Sequence, residues 1–434
     1  MNRTASLNPI SRAAIMIAAL AFLVRIVFVS VHERPLFSDE VDYDRLGSTL
    51  AATGTYSDDG RPTAYRPVGY PGLVAGVYAI GGRRPWAVHL AQAALGGISA
   101  LMLWLLAGRG RAGLCASGAW ALYPPSILYA DLLLPETVFT TLLLVGAVLA
   151  MRGVFADRRG SFLLGTMVGL LVLLKPMALL LLIALPFAAL VDRLRPTHFA
   201  LLTLGALLVI SPWLVRNWIV VGYPTPATSI GANLLIGNNP NATGGYTGQI
   251  PPSMIPPESA EAERDAGEIS SALGYIGKDP LRFLRNGFGK LAHVFGSEGG
   301  MIVWAFHRSP GDRSTPLREK YRSLPLWLHA AVSGPYALAM LLGTLGLFTQ
   351  PRGPTRAYFL AFLGTSLAVY FVFFGGGRYH FPLMPFFVLF AAQWLAGGPT
   401  GPAKPGWKTY AAVAVIWEAL IGVWIAEIVL VLRP

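Results

Sequence analysis

The chain has 434 residues, 54% of them hydrophobic and 13% charged, with a formal net charge of +12. Soluble globular proteins carry about 25% charged residues, so this composition excludes an ordinary soluble domain and places most of the chain in lipid. The apolar runs are continuous rather than alternating, which excludes a transmembrane β-barrel. No basic, aromatic-interleaved soluble domain of the nucleic-acid-binding kind is present. The single cysteine, Cys115, excludes an internal disulfide and a cysteine-based zinc cluster.

In chain order, the apolar runs predict membrane-spanning helices at 11–31, 86–107, 112–130, 135–152, 161–174, 177–191, 199–219, 326–348, 357–374, 381–397 and 409–431. The first follows Arg3 and Arg12 and contains Arg25. It lacks a small-residue cleavage site and is long enough to span, so it reads as a retained helix. Arg3, Arg12, Arg109, Arg111, Arg152, Arg158, Arg159, Arg193, Arg195, Arg352, Arg356, Lys404 and Lys408 then fall on one side. The positive-inside rule makes that side cytoplasmic, with the N-terminus.

Segments 32–85 and 220–325 fall on the other side. The expectation is one all-α polytopic domain over 1–434 with about 11 transmembrane helices, in a plasma (inner) membrane. Its two long extracytoplasmic loops carry interfacial helices. Segment 67–81 opens with prolines and is laid along the surface; if it spanned, every later loop would change sides. Segment 261–293 reads as an amphipathic helix pair broken at Pro280. Gly165 and Gly169, four apart, have the spacing of close helix packing.

The segment FSDEVDYDRLGSTLAATGTYSDDGRPTAYRPVGYP, 37–71, is the richest in chemistry. Adjacent carboxylates, Asp39 and Glu40, stand just beyond the first helix, and Arg66 follows in the same loop. Asp131 and Glu136, Lys175 and Arg378 sit at helix ends on the same face under this topology. Each alone could be a solvated or snorkelling side chain. Several charges of both signs beside apolar spans on one face point instead to a shared site.

Glycosyl transfer from a lipid phosphate fits that set. A carboxylate takes the proton of the attacking hydroxyl, and fixed cations such as Arg66, Lys175 and Arg378 stabilise the departing phosphate. Asp42-Tyr43-Asp44 spells a D-x-D, but on a helix residues two apart diverge, so it is read as coincidence. The histidines show no metal-ligand spacing, although His380 beside Arg378 is placed to touch phosphate. No cofactor is required by this chemistry and no metal site is assigned; a divalent cation at Asp39 and Glu40 stays open.

These residues bring a family to view. The chain resembles the GT-C superfamily of polyprenyl-phosphate-sugar glycosyltransferases, and within it the protein O-mannosyltransferase and aminoarabinose transferase relatives. The resemblance rests on SDEVDYDRLG with AYRPVGYP, LYPPSILYADLLLPETVF, LLKPMALLL, SPWLVRNW with ANLLIGNNPNATGG, YIGKDPLRFLRNGFGK and GGRYHFPLMPF, in that order. It implies catalytic carboxylates at Asp39, with Glu40 beside it, and at Glu136, and donor-phosphate contacts from Arg66, Lys175 and Arg378. It implies substrate-loop positions at Tyr65, Tyr70, Asn238, Asn239, Tyr379 and His380.

A polyprenyl-phosphate-sugar donor and a glycan, lipid or protein acceptor would be the partners, with no nucleic acid, and transfer would invert the anomeric carbon. The aminoarabinose branch tends to carry an acidic residue where Tyr65 stands, which puts a metal site and lipid A as acceptor in question. The alternatives are a polytopic transporter or flippase, which would show related halves and charges at the midplane, and a non-catalytic envelope-glycan assembly protein, which would tolerate loss of Asp39.

Overall fold

The computed structural model describes residues 9–151, 157–189, 195–246, 260–307, 317–351, 353–397 and 405–432. Arg3, Arg152, Arg193, Arg352 and Lys404, used above for orientation, lie outside the described residues.

The first helix, α1 (Pro9–Val31), leads at its C-terminal end into α2 (Asp39–Thr53), a short hairpin of Ser57–Asp58 with Arg61–Pro62, and α3 (Gly69–Gly81). Then come α4 (Pro85–Leu106), α5 (Arg111–Ala121), α6 (Pro124–Leu128), α7 (Glu136–Met151), α8 (Arg158–Leu174), α9 (Leu181–Ala189) and α10 (Pro196–Val221). The second long segment holds α11 (Ile230–Gly237), α12 (Glu261–Lys278), α13 (Pro280–Val294), α14 (Gly299–Phe306) and α15 (Leu317–Arg322). The chain finishes with α16 (Leu326–Thr349), α17 (Pro354–Val372), a 3-10 turn at Gly377–Leu383, α18 (Met384–Gly397) and α19 (Trp407–Leu432). The described parts of the two long segments meet at one end of the bundle, the loop end, where Thr228 and Glu261 of the second bond Ala64 of the first.

Among the described residues, seven helices are long and apolar enough to cross a membrane, and they match seven of the predicted spans. The chain is a multi-pass membrane protein. The other four predicted spans are shorter or broken. The run at 112–130 is split by Pro124 and Pro125 into α5, α6 and a 3-10 turn at Tyr129–Asp131. Proline lacks the amide that would continue the helix, and the fully buried Arg25 of α1 donates to the freed carbonyls of Trp120 (3.1 Å) and Ala121 (3.2 Å). The run at 177–191 begins as a 3-10 turn, Pro176–Leu180, before α9. α7 and α8 are single helices of 16 and 17 residues.

Small residues bring the helices together. A methyl group at Gly165 or Gly205 would overlap a backbone carbonyl across the α8–α10 contact, and one at Gly169 would sit 2.9 Å from the Ala206 oxygen. Gly343 and Gly346 serve α16 against α18 in the same way. Without a hydrophobic drive between helices in lipid, such close backbone approach is what packs them. α3 has 13 residues, a rise of about 20 Å against the ~30 Å hydrocarbon thickness. It buries Tyr70, Pro71, Val74, Ala75 and Tyr78, which holds α2 and the first loop firmly on the bundle.

A candidate active site at the loop end

α2 begins abruptly. Its N-cap, Ser38, has φ 54° and ψ −128°, a region that L-residues rarely occupy. That turn sends the two adjacent carboxylates apart, since consecutive helical residues point about 100° from each other. The Asp39 carboxylate lies between two guanidinium groups, with Oδ1 2.7 Å from Arg66 Nη2 and Oδ2 2.8 Å from Arg378 Nη1. Asp42 adds a second acceptor for Arg66 at 2.8 Å. Arg66 lies near the rings of Tyr43 and Tyr65, and Arg378 near those of Trp304 and Tyr379. Burial would raise the pKa of Asp39, but Arg378 and Arg66 more than offset it and hold the carboxyl well below its usual range. Burial would lower that of Arg66, and Asp39 with Asp42 carries it above the usual value.

A second ion pair stands alongside. Lys175, at the end of α8, lies 3.0 Å from Glu136 at the start of α7. The other Glu136 oxygen is buried without a protein partner. Tyr379 joins the two pairs: it follows Arg378 in sequence and its ring is 6.0 Å from Lys175 Nζ. It stacks on Tyr370 at 4.7 Å, which fixes its plane. Three cations and three carboxylates from five separated segments thus meet at the loop end, the region where the sequence places a shared site.

Arg66 owes its position to residues that the sequence reading did not single out. Its carbonyl accepts from the Tyr56 hydroxyl at 2.9 Å. Arg216, near the end of α10, donates to the Tyr56 and Thr63 carbonyls, both at 2.6 Å. Glu261, opening α12, accepts the Ala64 amide at 2.8 Å, and Thr228 N donates to the Ala64 carbonyl at 2.9 Å. The second long segment therefore clamps the backbone of the first just before Arg66.

Other expected site residues are engaged elsewhere. Glu40 is fully buried and turned from Asp39. Arg34 grips both its oxygens, one at 2.7 Å, and the Leu133 amide donates to it at 2.8 Å. Asn238 donates to the Leu234 and Val372 carbonyls, both at 2.8 Å, and accepts from Lys290 at 2.7 Å. Asn239 donates to Leu235 and Ile236 and accepts the Asn241 amide. These amides cap the end of α11 and line a hollow against α12 and α13.

His380 is fully buried, with Nδ1 2.6 Å from the Val294 carbonyl and Nε2 2.9 Å from Glu298. It anchors the turn that carries Arg378 and does not face the cluster. Tyr70 is buried, bonds Gln92 at 2.8 Å and supports Tyr43 edge-on. Tyr65 is part exposed and flanks Arg66. Asp42 and Asp44 diverge: Asp44 goes to Tyr78 and Arg83. Among the described residues, no group of three or more His, Cys, Asp or Glu is arranged to hold a metal ion.

No curated protein matches the sequence. Among solved structures, the chain is similar to the oligosaccharyltransferase AglB of Archaeoglobus fulgidus in complex with an inhibitory peptide and a dolichol-phosphate (13% identity, 95% of this chain and 54% of that one, TM-score 0.47). It is similar to the same organism's oligosaccharyltransferase in the apo form (13%, 98% and 56%, 0.49). It is also similar to ArnT of Cupriavidus metallidurans bound to undecaprenyl phosphate (14%, 88% and 77%, 0.42). The chain spans about half the length of the archaeal enzymes. Residues 65–216, which hold Arg66, Glu136 and Lys175, match the family model described as dolichyl-phosphate-mannose-protein mannosyltransferase, a family within the resemblance read from the motifs.

Proposed function

We propose that this chain is a membrane glycosyltransferase that moves a sugar from a polyprenyl-phosphate-linked donor to an acceptor hydroxyl, inverting the anomeric carbon, at the extracytoplasmic face. Segments 32–85 and 220–325 form the active-site side of one domain, and the membrane is the plasma (inner) membrane. The observation that carries the reading is Asp39 shared between Arg66 and Arg378. It is a carboxylate for a proton and two fixed cations for a phosphate, from segments more than three hundred residues apart.

In the reaction, the acceptor O–H gives its proton to Asp39 as its oxygen bonds to the anomeric carbon. The bond from that carbon to the phosphate oxygen breaks, and the polyprenyl phosphate leaves with the electron pair. The charge growing on that oxygen is met by Arg66, Arg378 and Lys175, a preorganised stabilisation of the oxyanion-hole kind. No acid is needed for a phosphate leaving group. With both arginines on Asp39, the carboxylate is a weak base. A donor phosphate that draws the arginines to itself releases Asp39, raises its pKa and so readies the base only when the donor is present. Glu136 holds Lys175 in reach, and Tyr65 and Tyr379 wall the sugar side.

The test is a transfer assay on protein in nanodiscs with a panel of polyprenyl-phosphate sugars, scoring released polyprenyl phosphate. Release that depends on Asp39 supports the reading. Equal release from Asp39→Asn removes Asp39 as the base, and failure of every donor to bind removes the transferase.

A further inference from the structure

On the other flank of the 32–40 segment lies a cavity of about 680 Å³, bounded by the ends of α1 and α4 and the 3-10 turn at Asp131. Its polar lining is His32, Glu33, Arg34, His89 and Asp131, and Trp86 contributes an indole that is half exposed. Asp131 organises the set. Its Oδ2 lies 2.8 Å from His32 Nδ1 and 3.2 Å from Arg34 Nε, and its Oδ1 lies 3.7 Å from His89 Nδ1. The His32 ring stacks on Phe28 and meets the edge of Phe306, so it is held in one orientation. Its Nδ1 is committed to Asp131. His89 Nε2 is buried with no protein partner.

The cavity shares walls with the Asp39 cluster. Arg34 ties Glu40, the residue after Asp39, to Asp131. In α14, Phe306 touches His32, while Trp304, two residues earlier, lies against both Phe37 and Arg378. The charges differ, however. Here one guanidinium, Arg34, stands against three carboxylates, Glu33, Glu40 and Asp131. An anion is disfavoured, and the cationic side of the 32–40 segment is where a phosphate goes.

Resting on the transferase reading, we infer that this cavity is the acceptor site and that it takes a neutral carbohydrate. A half-exposed indole offers a face for the apolar side of a sugar ring. Carboxylates, an oriented imidazole and an unpartnered ring nitrogen offer the dense mixture of acceptors and donors that ring hydroxyls satisfy. A glycan bound there approaches Asp39 from the side opposite the donor phosphate.

The experiment titrates neutral di- to tetrasaccharides of glucose, mannose and galactose, a uronic-acid oligosaccharide and a Ser/Thr-rich peptide into nanodisc-embedded protein, by ligand-observed NMR. Binding of polyprenyl phosphate is measured on the same samples. The expected result is saturable binding of a neutral oligosaccharide, weakened about tenfold by Trp86→Ala and measurably by Glu33→Gln. Both residues are exposed, so the thermal midpoint serves as the check on folding. The inference is overturned by no oligosaccharide binding, by binding indifferent to both substitutions, by uronic acid binding as well as the neutral sugars, or by the peptide claiming the Trp86-dependent site. If lipid phosphate binds and sugars do not, the acceptor site falls and the transferase stands. If sugars bind and lipid phosphate does not, the glycan site stands and the transferase falls.

Discussion

Asp39 and Glu40 are neighbours of nearly the same chemistry, and the fold gives them opposite work. Asp39 remains part exposed and is shared between two arginines from different segments, each of which a phosphate could draw away. Glu40 is fully buried and bonded by Arg34 and by a backbone amide, with nothing left for a substrate. A carboxylate at a membrane-protein surface is informative through what its partners leave free, and the strained turn at Ser38 decides which carboxylate gets which partners.

The comparison breaks most sharply on exchange of each carboxylate for its amide. Asp39→Asn is expected to insert and fold, with a somewhat lower thermal midpoint, and to lose transfer by about 100-fold or more, the scale of removing a group that acts only in the transition state. Glu40→Gln should do the reverse: lower yield and a lower thermal midpoint, with the folded fraction still turning over. If the two variants traded phenotypes, the assignment of the two faces would be wrong.

Arg34 sharpens the same point from the buried side. It joins Glu40 to Asp131 with its own side chain 9% exposed. Arg34→Ala leaves two buried carboxylates short of their cation, a change that costs roughly 3–5 kcal/mol. Scanning calorimetry or a thermal shift in nanodiscs reads the loss. A midpoint equal to wild type would show that water reaches Glu40 and that its burial is not structural.

On the Asp39 side the arginines are predicted to matter for the donor. Arg378→Lys keeps charge but loses the planar fork. The donor KM should rise by about tenfold while the acceptor KM stays near wild type. Equal rises in both would place Arg378 between the substrates rather than on the phosphate.

How much of this was legible in the sequence follows from the same contrast. Asp39, Arg66, Lys175 and Arg378 could be found because each is an ionisable group abutting an apolar run, where a charge is costly. Which way a carboxylate faces was not legible: it depends on how α2 docks, and Glu40 declares itself only beside Arg34 and Leu133. Arg216 and Glu261 were missed because their partners, Thr63 and Ala64, lie 153 and 197 residues away. Asn238 and Asn239 look like ligand amides in GNNPN, yet asparagine just past a helix is also a capping signal. The split of 112–130 was written in Pro124-Pro125, but an apolar run long enough to span masked it.

The pH response follows from the directions of shift. Asp39 lies below the usual carboxylate range and Arg66 above the usual guanidinium value, so neither changes charge between about pH 5 and 8. Binding of the sugar-linked donor, a phosphodiester whose single charge does not change over this range, is expected to be flat there. Asp39 contributes stability above the unfolded carboxyl pKa of about 3.9, and that contribution is lost only as pH falls toward its lower folded value. A binding transition near pH 6–7 would implicate a histidine at the phosphate, contrary to the burial of His380 against Glu298.

The smallest expected effect tests the turn itself. Ser38 makes no side-chain cap bond and holds a conformation, φ 54° and ψ −128°, that costs an L-residue about 1–3 kcal/mol. Glycine adopts it freely but loses more entropy on folding, by roughly 0.5–1 kcal/mol. Ser38→Gly should therefore raise stability slightly and leave turnover within about twofold of wild type. The geometry that parts Asp39 from Glu40 would then belong to the backbone, with the serine side chain incidental. A large fall in turnover at unchanged stability would say instead that the serine holds the turn in register, and that the division of labour between the two carboxylates depends on that one strained residue.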